Sequence, residues 1–534
     1  MNFLKEYIFT YLEYSKIFND KLPLTKINEI IENWNCYPYT ILLSILSFYE
    51  MNDKDLSKIL FDYLVKNEPQ SGEEFSNILN DSIICSPQGL LTTWKYILTN
   101  QKNANKSVSG NIEFGVLQVM LLVVAIQDHL VKEDIANQEF LSYIISNYHF
   151  NNFENMRNAI SRTWLMYFEP GIISRLQSSK EYVNYPDSFY NKYGYSLEDY
   201  LASIFAIISF YEKQPKGFNK PWILNIREYF TDTSLKAIIQ EIISSISFSW
   251  EEGRTWSSEV IQDNWNFALF QQKPLLRITP NEVIPVSKKF LQEQLFESLF
   301  HKIRDSFPKE NLSFVRYIGR PFEMYVQWIS EESINKSNIS YELIKEFAYN
   351  KNQNKSPDVI IKLGDKILVI EAKSSRISFE ALDNFDFIDN TFDKFVISPM
   401  NQAIKSIKKI IDSKSHDLIT SSNKYYFMVV SMSTFPSIKI YEDKIQKKII
   451  NDSGLDIQGL YHLDIEEFEY LCEIIGRRGS KQIFRLLQNK SRNYHNYTFK
   501  NFLLKSSIHL RKYTLLSDKA NDLFEMVFTR LQRR

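Results

Sequence analysis

Apolar and polar positions along this chain change rhythm about halfway. Up to about residue 270, apolar residues recur at three- and four-residue spacing, clearest in Ile41 to Tyr49 and Tyr200 to Tyr211, which predicts helices. Phe114 to Ile126 is mostly apolar, interrupted by Gln118, and too short to span a membrane; it predicts a buried helix. Lys213 to Gly217 with Asn219-Lys220-Pro221, and Glu251-Glu252-Gly253-Arg254, read as loops. Trp250, Trp256 and Trp265 cluster nearby and suit core packing better than a base-stacking platform. No repeat of fixed period supports a solenoid. Pro274, Pro280 and Pro285 then break the pattern and predict a domain boundary, followed by a helix from Lys288 to Phe307 assigned to the second half.

Further on, the rhythm becomes that of strands. Val359 to Leu363 and Lys366 to Ile370 flank Gly364-Asp365, which predicts a hairpin with a two-residue turn led by glycine. That turn sets Leu363 opposite Lys366, and counting outward sets Asp358 opposite Glu371. Directly opposed residues have Cβ atoms roughly 5 Å apart. Lys373, two residues beyond Glu371, shares its face. Apolar residues occupy both faces, Ile360, Ile367 and Val369 on one and Val359, Ile361, Leu363, Leu368 and Ile370 on the other. Such a hairpin is a central, buried one, and charges at its end need a reason. A surface hairpin with solvated ends is the competing reading.

Two converging carboxylates suit a hard divalent cation, Mg²⁺ or Mn²⁺, which would polarise a phosphoryl oxygen and acidify a bound water. An adjacent lysine can orient that water and offset charge on the phosphate. Pro357-Asp358 followed by Glu371-Ala372-Lys373 on a registered hairpin resembles the PD-(D/E)xK nuclease superfamily, over roughly Gly319 to Ser433. Single pieces of the motif are weak signals: Glu442-Asp443-Lys444 repeats the E-x-K triple, and Tyr185-Pro186-Asp187 has no hairpin behind it.

The resemblance implies a phosphodiester hydrolase in which Asp358 and Glu371 bind metal and Lys373 orients water. It also implies a glutamate from a preceding helix that completes the metal shell through water, for which Glu323 in Tyr317-Ile318-Gly319-Arg320-Pro321-Phe322-Glu323 is the candidate; Pro321 would suit the first helical position. A glutamate there is also favourable for the helix dipole alone. Tyr341 to Tyr349 predicts a neighbouring strand and Asn350 to Ser356 its connecting loop. Ser398-Pro399 predicts a capped helix start, and Met400, Ala403, Ile404, Ile407, Ile410 and Ile411 form its apolar side. Its polar side carries Gln402, matching in type a residue the superfamily places near the site, and Lys405 and Lys409, with Lys408 adjacent. These lysines either track a phosphate backbone or are simply solvated. Tyr425 to Ser433 reads as a buried strand, completing a crossover unit expected to be right-handed. Asp464-Ile465-Glu466-Glu467 has the form of a capping box.

The expected fold class is therefore α plus α/β, a mainly helical N-terminal region followed by a restriction-endonuclease-like mixed sheet flanked by helices. Three domains are expected: a helical one over 1–270 for regulation, target or partner recognition, a nuclease-like one over 271–476, and a C-terminal segment over 477–534. A formal net charge of −1 hides segregation, since 477–534 holds fourteen Lys or Arg against three Asp or Glu. Arg477, Arg478, Lys481, Arg485, Lys490 and Arg492 interleave with Phe484, Tyr494, Tyr497 and Phe499, a pattern able to hold phosphates and stack bases; packing against acidic partners is the alternative. Cys36, Cys85 and Cys472 give no disulfide or zinc pattern, so a reducing cytoplasm is expected. No signal peptide or Walker A loop is evident. The partner expected is nucleic acid, DNA before RNA, with a homodimer or a regulatory protein also open. Enzymes of this type often serve restriction or bacterial defence; a non-catalytic scaffold keeping the fold is the rival.

Overall fold

The computed structural model describes residues 10–34, 36–50, 53–101, 112–130, 146–152, 154–169, 175–351, 353–374, 376, 385–432, 435, 439–449, 454–477, 482–508 and 515–532. The chain divides into two compact units: one of Met1–Phe153, Tyr185–Ser306 and Phe524–Arg534, the other of Glu154–Asn184 and Phe307–Leu523.

The first unit is mainly helical, as the three- and four-residue spacing predicts. Helix α1 (Pro87–Asn100) starts at Ser86, whose hydroxyl accepts from the Gly89 amide with Pro87 in the first turn. Helix α2 (Ile112–Gln127) is the apolar run, its side chains from Val116 to Ile126 largely buried. No helix among the described residues is long and apolar enough to cross a membrane. Trp250, Trp256 and Trp265 are half-buried: Trp256 meets Phe270 edge-on and Trp265 stacks on Phe150.

The expected boundary at the three prolines lies instead inside this unit. Strands β1 (Leu224–Asn225), β2 (Ser247–Phe248), β3 (Leu275–Thr279) and β4 (Glu282–Pro285) form a mixed sheet in the order β1-β4-β3-β2, and Pro280 sits in the β3–β4 turn. Proline ends a helical pattern but also suits a tight turn, and here it makes a hairpin. The helix expected over 288–307 is two, Lys288–Glu293 and Glu297–Asp305, because Phe296 leaves the helical conformation (φ −143°, ψ −68°). Both group with the first unit, so the main division falls near residue 306.

In the second unit, helix α3 (Met156–Tyr167) is fastened by a buried ion pair. Arg162 Nε lies 2.9 Å from Glu469, and Tyr325 Oη donates to the same carboxylate at 2.6 Å. Helix α4 (Gly319–Lys336) starts two residues before Pro321, so proline occupies the third position rather than the first. Strands β5 (Glu342–Lys345), β8 (Val359–Leu363), β9 (Lys366–Lys373), β10 (Lys424–Ser431) and β11 (Asp456–Asp464) form a mixed sheet in the order β11-β10-β9-β8-β5. Between β5 and β8, β6 (Ala348–Tyr349), at the end of the stretch expected as one strand, pairs with β7 (Asn354–Lys355), in the stretch expected as a loop, to make a small hairpin.

The β8–β9 register is the predicted one: Leu363 pairs with Lys366 and Val359 with Ile370. Gly364 adopts φ +61°, as a glycine-led hairpin turn requires. Both faces are buried, with Val359 to Ile361 and Ile367 to Ile370 at 0% exposure, which makes this a central hairpin. Strand β10 runs parallel to β9 and to β11. Helix α5 (Ser398–Asp412) buries Met400, Ala403, Ile404, Ile407 and Ile410. Ser398 is not its cap, however. The helix Phe385–Phe392 and a π-helical turn, Asp393–Ile397, lead directly into it, and Ser398 itself is helical (φ −64°, ψ −47°). Proline clashes with the carbonyl four residues back and lacks an N–H. The wider π turn just before Pro399 accommodates both. Helix α6 (Ile465–Gly476) carries the predicted capping box of Asp464 and Glu467. Helix α7 (Ile483–Asn493) follows, and Phe484 and Phe499 are fully buried, so they belong to the core and not to a base-stacking surface.

Candidate active site

Asp358 immediately precedes β8 and Glu371 lies near the end of β9, so the observed register brings the two carboxylates across from each other. Both are 6% exposed. The Ala372 amide donates to Asp358 Oδ2 at 2.7 Å, and Gln327 of α4 donates to the Asp358 carbonyl at 3.2 Å, tying the hairpin end to the helix. Lys373 Nζ stands 2.8 Å from Glu371 Oε1.

A cavity of about 190 Å³ is lined by Arg320, Glu323, Glu346, Asp358, Glu371 and Lys373, and Gln402 of α5 borders it. All five predicted catalytic residues, Asp358, Glu371, Lys373, Glu323 and Gln402, therefore converge there. Glu323 sits in the first turns of α4 and is held at 2.6 Å by Arg320 Nη1. Arg320 also stands 3.6 Å from Glu181 and 4.0 Å from Glu346, and Lys355 pairs with Glu346 at 3.1 Å.

Electrostatics distinguish the acids. Burial pushes the Asp358 carboxyl well above the ordinary carboxylate range, and the charges of Glu371 and Glu323 push it further; the Ala372 amide offsets only part. Burial also raises Glu371 against the pull of Lys373, and raises Glu323 against the pull of Arg320. For Lys373, burial works downward but Glu371, Asp358 and Glu323 outweigh it, so its ammonium is held above the usual lysine range.

Among the described residues, no three or more His, Cys, Asp and Glu side chains form a group that could hold a metal ion. Lys373 and Arg320 engage Glu371 and Glu323. Two oxygens still fit a cation: no protein group among the described residues donates to Asp358 Oδ1 or to Glu371 Oε2. Two buried carboxylates, Asp358 raised by burial and by the charge of Glu371, and Glu371 raised by burial, are a donor set that a hard cation would relieve.

The predicted nucleic-acid contacts divide. Lys405 and Lys409 are exposed on α5 and line a groove beside the cavity. Arg477 is half-buried, with its Nε 3.8 Å from Glu473, and Arg485 is exposed on α7; neither borders the cavity. Arg478 and Lys481 lie outside the described residues. Lys490 is buried and donates to the His495 carbonyl. The second E-x-K triple, at Glu442, lies on a helix, Lys439–Lys448, where Lys444 pairs with Asp389 and Asp393.

Sequence reasoning missed Arg320, Glu346, Lys355 and Gln327 as parts of the site. Arg320 carried a signal, a charged residue one turn before Glu323; the other three are brought in by tertiary packing alone. Comparison with family models finds no match for the chain, and comparison with curated proteins finds none.

Proposed function

We propose that the second unit is a metal-dependent nuclease that hydrolyses phosphodiester bonds, with DNA as the expected polymer. The observation that carries this reading is the pair of buried carboxylates, Asp358 and Glu371, on a central hairpin, sharing one cavity with Lys373. The succession of elements supports a restriction-endonuclease-like reading of the sheet: a helix bearing Glu323, an antiparallel hairpin, a helix, then a parallel strand.

Asp358 Oδ1 and Glu371 Oε2 would hold Mg²⁺ or Mn²⁺. When bound, such a cation supplies Lewis acidity toward a phosphoryl oxygen and lowers the pKa of a coordinated water. Lys373 donates to the attacking water and to a non-bridging phosphate oxygen, offsetting the charge that grows there. Glu323 and Gln402, on the cavity wall, orient water. The attacking water oxygen gives up its proton to solvent, and its attack on phosphorus breaks the bond to the leaving sugar oxygen, which takes a proton from solvent.

Purified protein incubated with supercoiled plasmid and Mg²⁺ or Mn²⁺ is expected to nick or linearise it. EDTA should abolish cleavage, and Lys373→Ala should slow it by about two to three orders of magnitude. Wild-type cleavage by Asp358→Ala would sink the assignment. Cleavage confined to matched RNA would keep the chemistry and change the polymer.

A further inference from the structure

Beside the acid cavity runs a groove of about 830 Å³ between α5 and the β6–β7 hairpin, and the two share Lys355, Gln402 and Ser406 as walls. One stripe of α5 forms its long side. Ser398, Gln402, Lys405 and Lys409 follow at spacings of four, three and four, a single helical face. Gln402 borders the acids and Lys409 is the stripe's far end, roughly 10 Å further along the axis at 1.5 Å per residue.

Charge pairing separates the lysines of this groove. Lys448 is 2.5 Å from Asp393 and Lys355 is 3.1 Å from Glu346, so both are already paired. Lys405 and Lys409 are exposed, and among the described residues neither pairs with a carboxylate. Their α-carbons lie about 6 Å apart along the axis, close to the separation of neighbouring phosphates on an extended strand. Lys408, on the same helix, does not line the groove.

We infer that this groove seats the nucleic-acid strand adjoining the scissile phosphate, with successive phosphates on Lys405 and Lys409. The inference rests on the nuclease reading above and adds a path and a direction to it: the strand leaves the acid cavity past Gln402 and follows α5 toward its C-terminus. The recognised group is the phosphodiester backbone, which single-stranded DNA, duplex DNA and RNA all present.

The test measures the affinity of the full chain for a fluorescein-labelled oligonucleotide as single strand, as duplex and as matched RNA. Ca²⁺ replaces Mg²⁺ to hold off cleavage, and KCl is varied. Each lost phosphate contact lowers the slope of log K against log salt by about 0.7 for a single strand and about 0.9 for duplex DNA. Lys405→Gln combined with Lys409→Gln should therefore lower the slope by about 1.4 on a single strand or about 1.8 on duplex. On a single strand, the deficit of the double variant should narrow about sevenfold between 50 and 200 mM salt. Lys408→Gln should move the slope less than Lys405→Gln does. An unchanged slope in the double variant of a protein that cleaves normally overturns the groove and leaves the nuclease reading standing. So does a Lys408→Gln effect equal to that of Lys405→Gln. Wild-type protein that neither binds nor cleaves any of the three probes overturns both.

Discussion

Asp358→Asn should make the second unit more stable in EDTA and less stable than the wild type in excess Mg²⁺. Asp358 and Glu371 are each 6% exposed and face each other across the hairpin. Opposed Cβ atoms lie about 5 Å apart, and at an effective dielectric of about 20 two like charges at that distance repel by about 3 kcal/mol. Lys373, 2.8 Å from Glu371, offsets part of this, leaving a gain of about 1–2 kcal/mol on removing the charge. Asparagine is nearly isosteric, and its oxygen still accepts from the Ala372 amide, so no donor is orphaned. The sign with pH follows from the raised pKa of Asp358. An acid whose folded pKa lies above its unfolded one costs stability once ionised, and that penalty disappears as pH falls through the folded value. The gain is thus present on the alkaline side and vanishes toward the ordinary carboxylate range. Cation binding reverses the order: at a hundred times its Kd a ligand contributes about 2.7 kcal/mol, which the variant forgoes with its carboxylate. Thermal melts of both proteins in EDTA and in a Mg²⁺ series test this directly. Equal Mg²⁺ shifts, or a variant less stable in EDTA, would refute the reasoning.

Two further outcomes probe the frame that carries the site. Arg162→Ala strands Glu469, which is 0% exposed, and should destabilise the second unit by about 3–5 kcal/mol in urea melts; pairing it with Glu469→Leu should recover part of the loss. Burial pushes the His462 imidazole down to about 3, so it folds neutral, with its Nε2 2.9 Å from Ser431 Oγ. Stability is then complete above the ordinary value near 6.5 and declines as pH falls toward 3, by up to about 5 kcal/mol. His462→Gln should flatten that decline in melts taken from pH 7 to pH 4.

The hairpin was legible because its information is local. Alternation fixes the faces, Gly364-Asp365 fixes the turn, and the register then carries Asp358 to Glu371 without further knowledge. The capping box at Asp464 and the apolar stripe of α5 are equally local. What escaped was set by distant packing. Glu346 comes to the cavity from the short link between β5 and β6, inside the stretch expected as one strand, and Lys355 from β7, in a polar stretch that reads as loop. Ser398-Pro399 carries a genuine start signal, but the helix before it persists through a π turn that no spacing rule anticipates. Pro274, Pro280 and Pro285 were read as interruption, although a proline at a turn and beside strands is compatible with a hairpin. In the basic, aromatic C-terminal stretch the two phenylalanines escaped for a related reason: interleaving in sequence does not tell which side chains a helix turns inward, and Phe484 and Phe499 are inward.

The turn at Gly364-Asp365 lies at the opposite end of the hairpin from the two acids, yet its length decides whether they meet. Strand β9 is hydrogen-bonded on both sides, to β8 and β10, so a change there cannot be absorbed by fraying. One residue more or fewer would shift every pairing by a step, carry Asp358 off Glu371 and turn its neighbours to the opposite face. A lineage could therefore exchange side chains around this cavity one at a time, while a single-codon insertion in the turn would part the two carboxylates at once. The meeting of the two carboxylates is thus written partly as a distance along the sequence, which no inventory of reactive side chains would reveal.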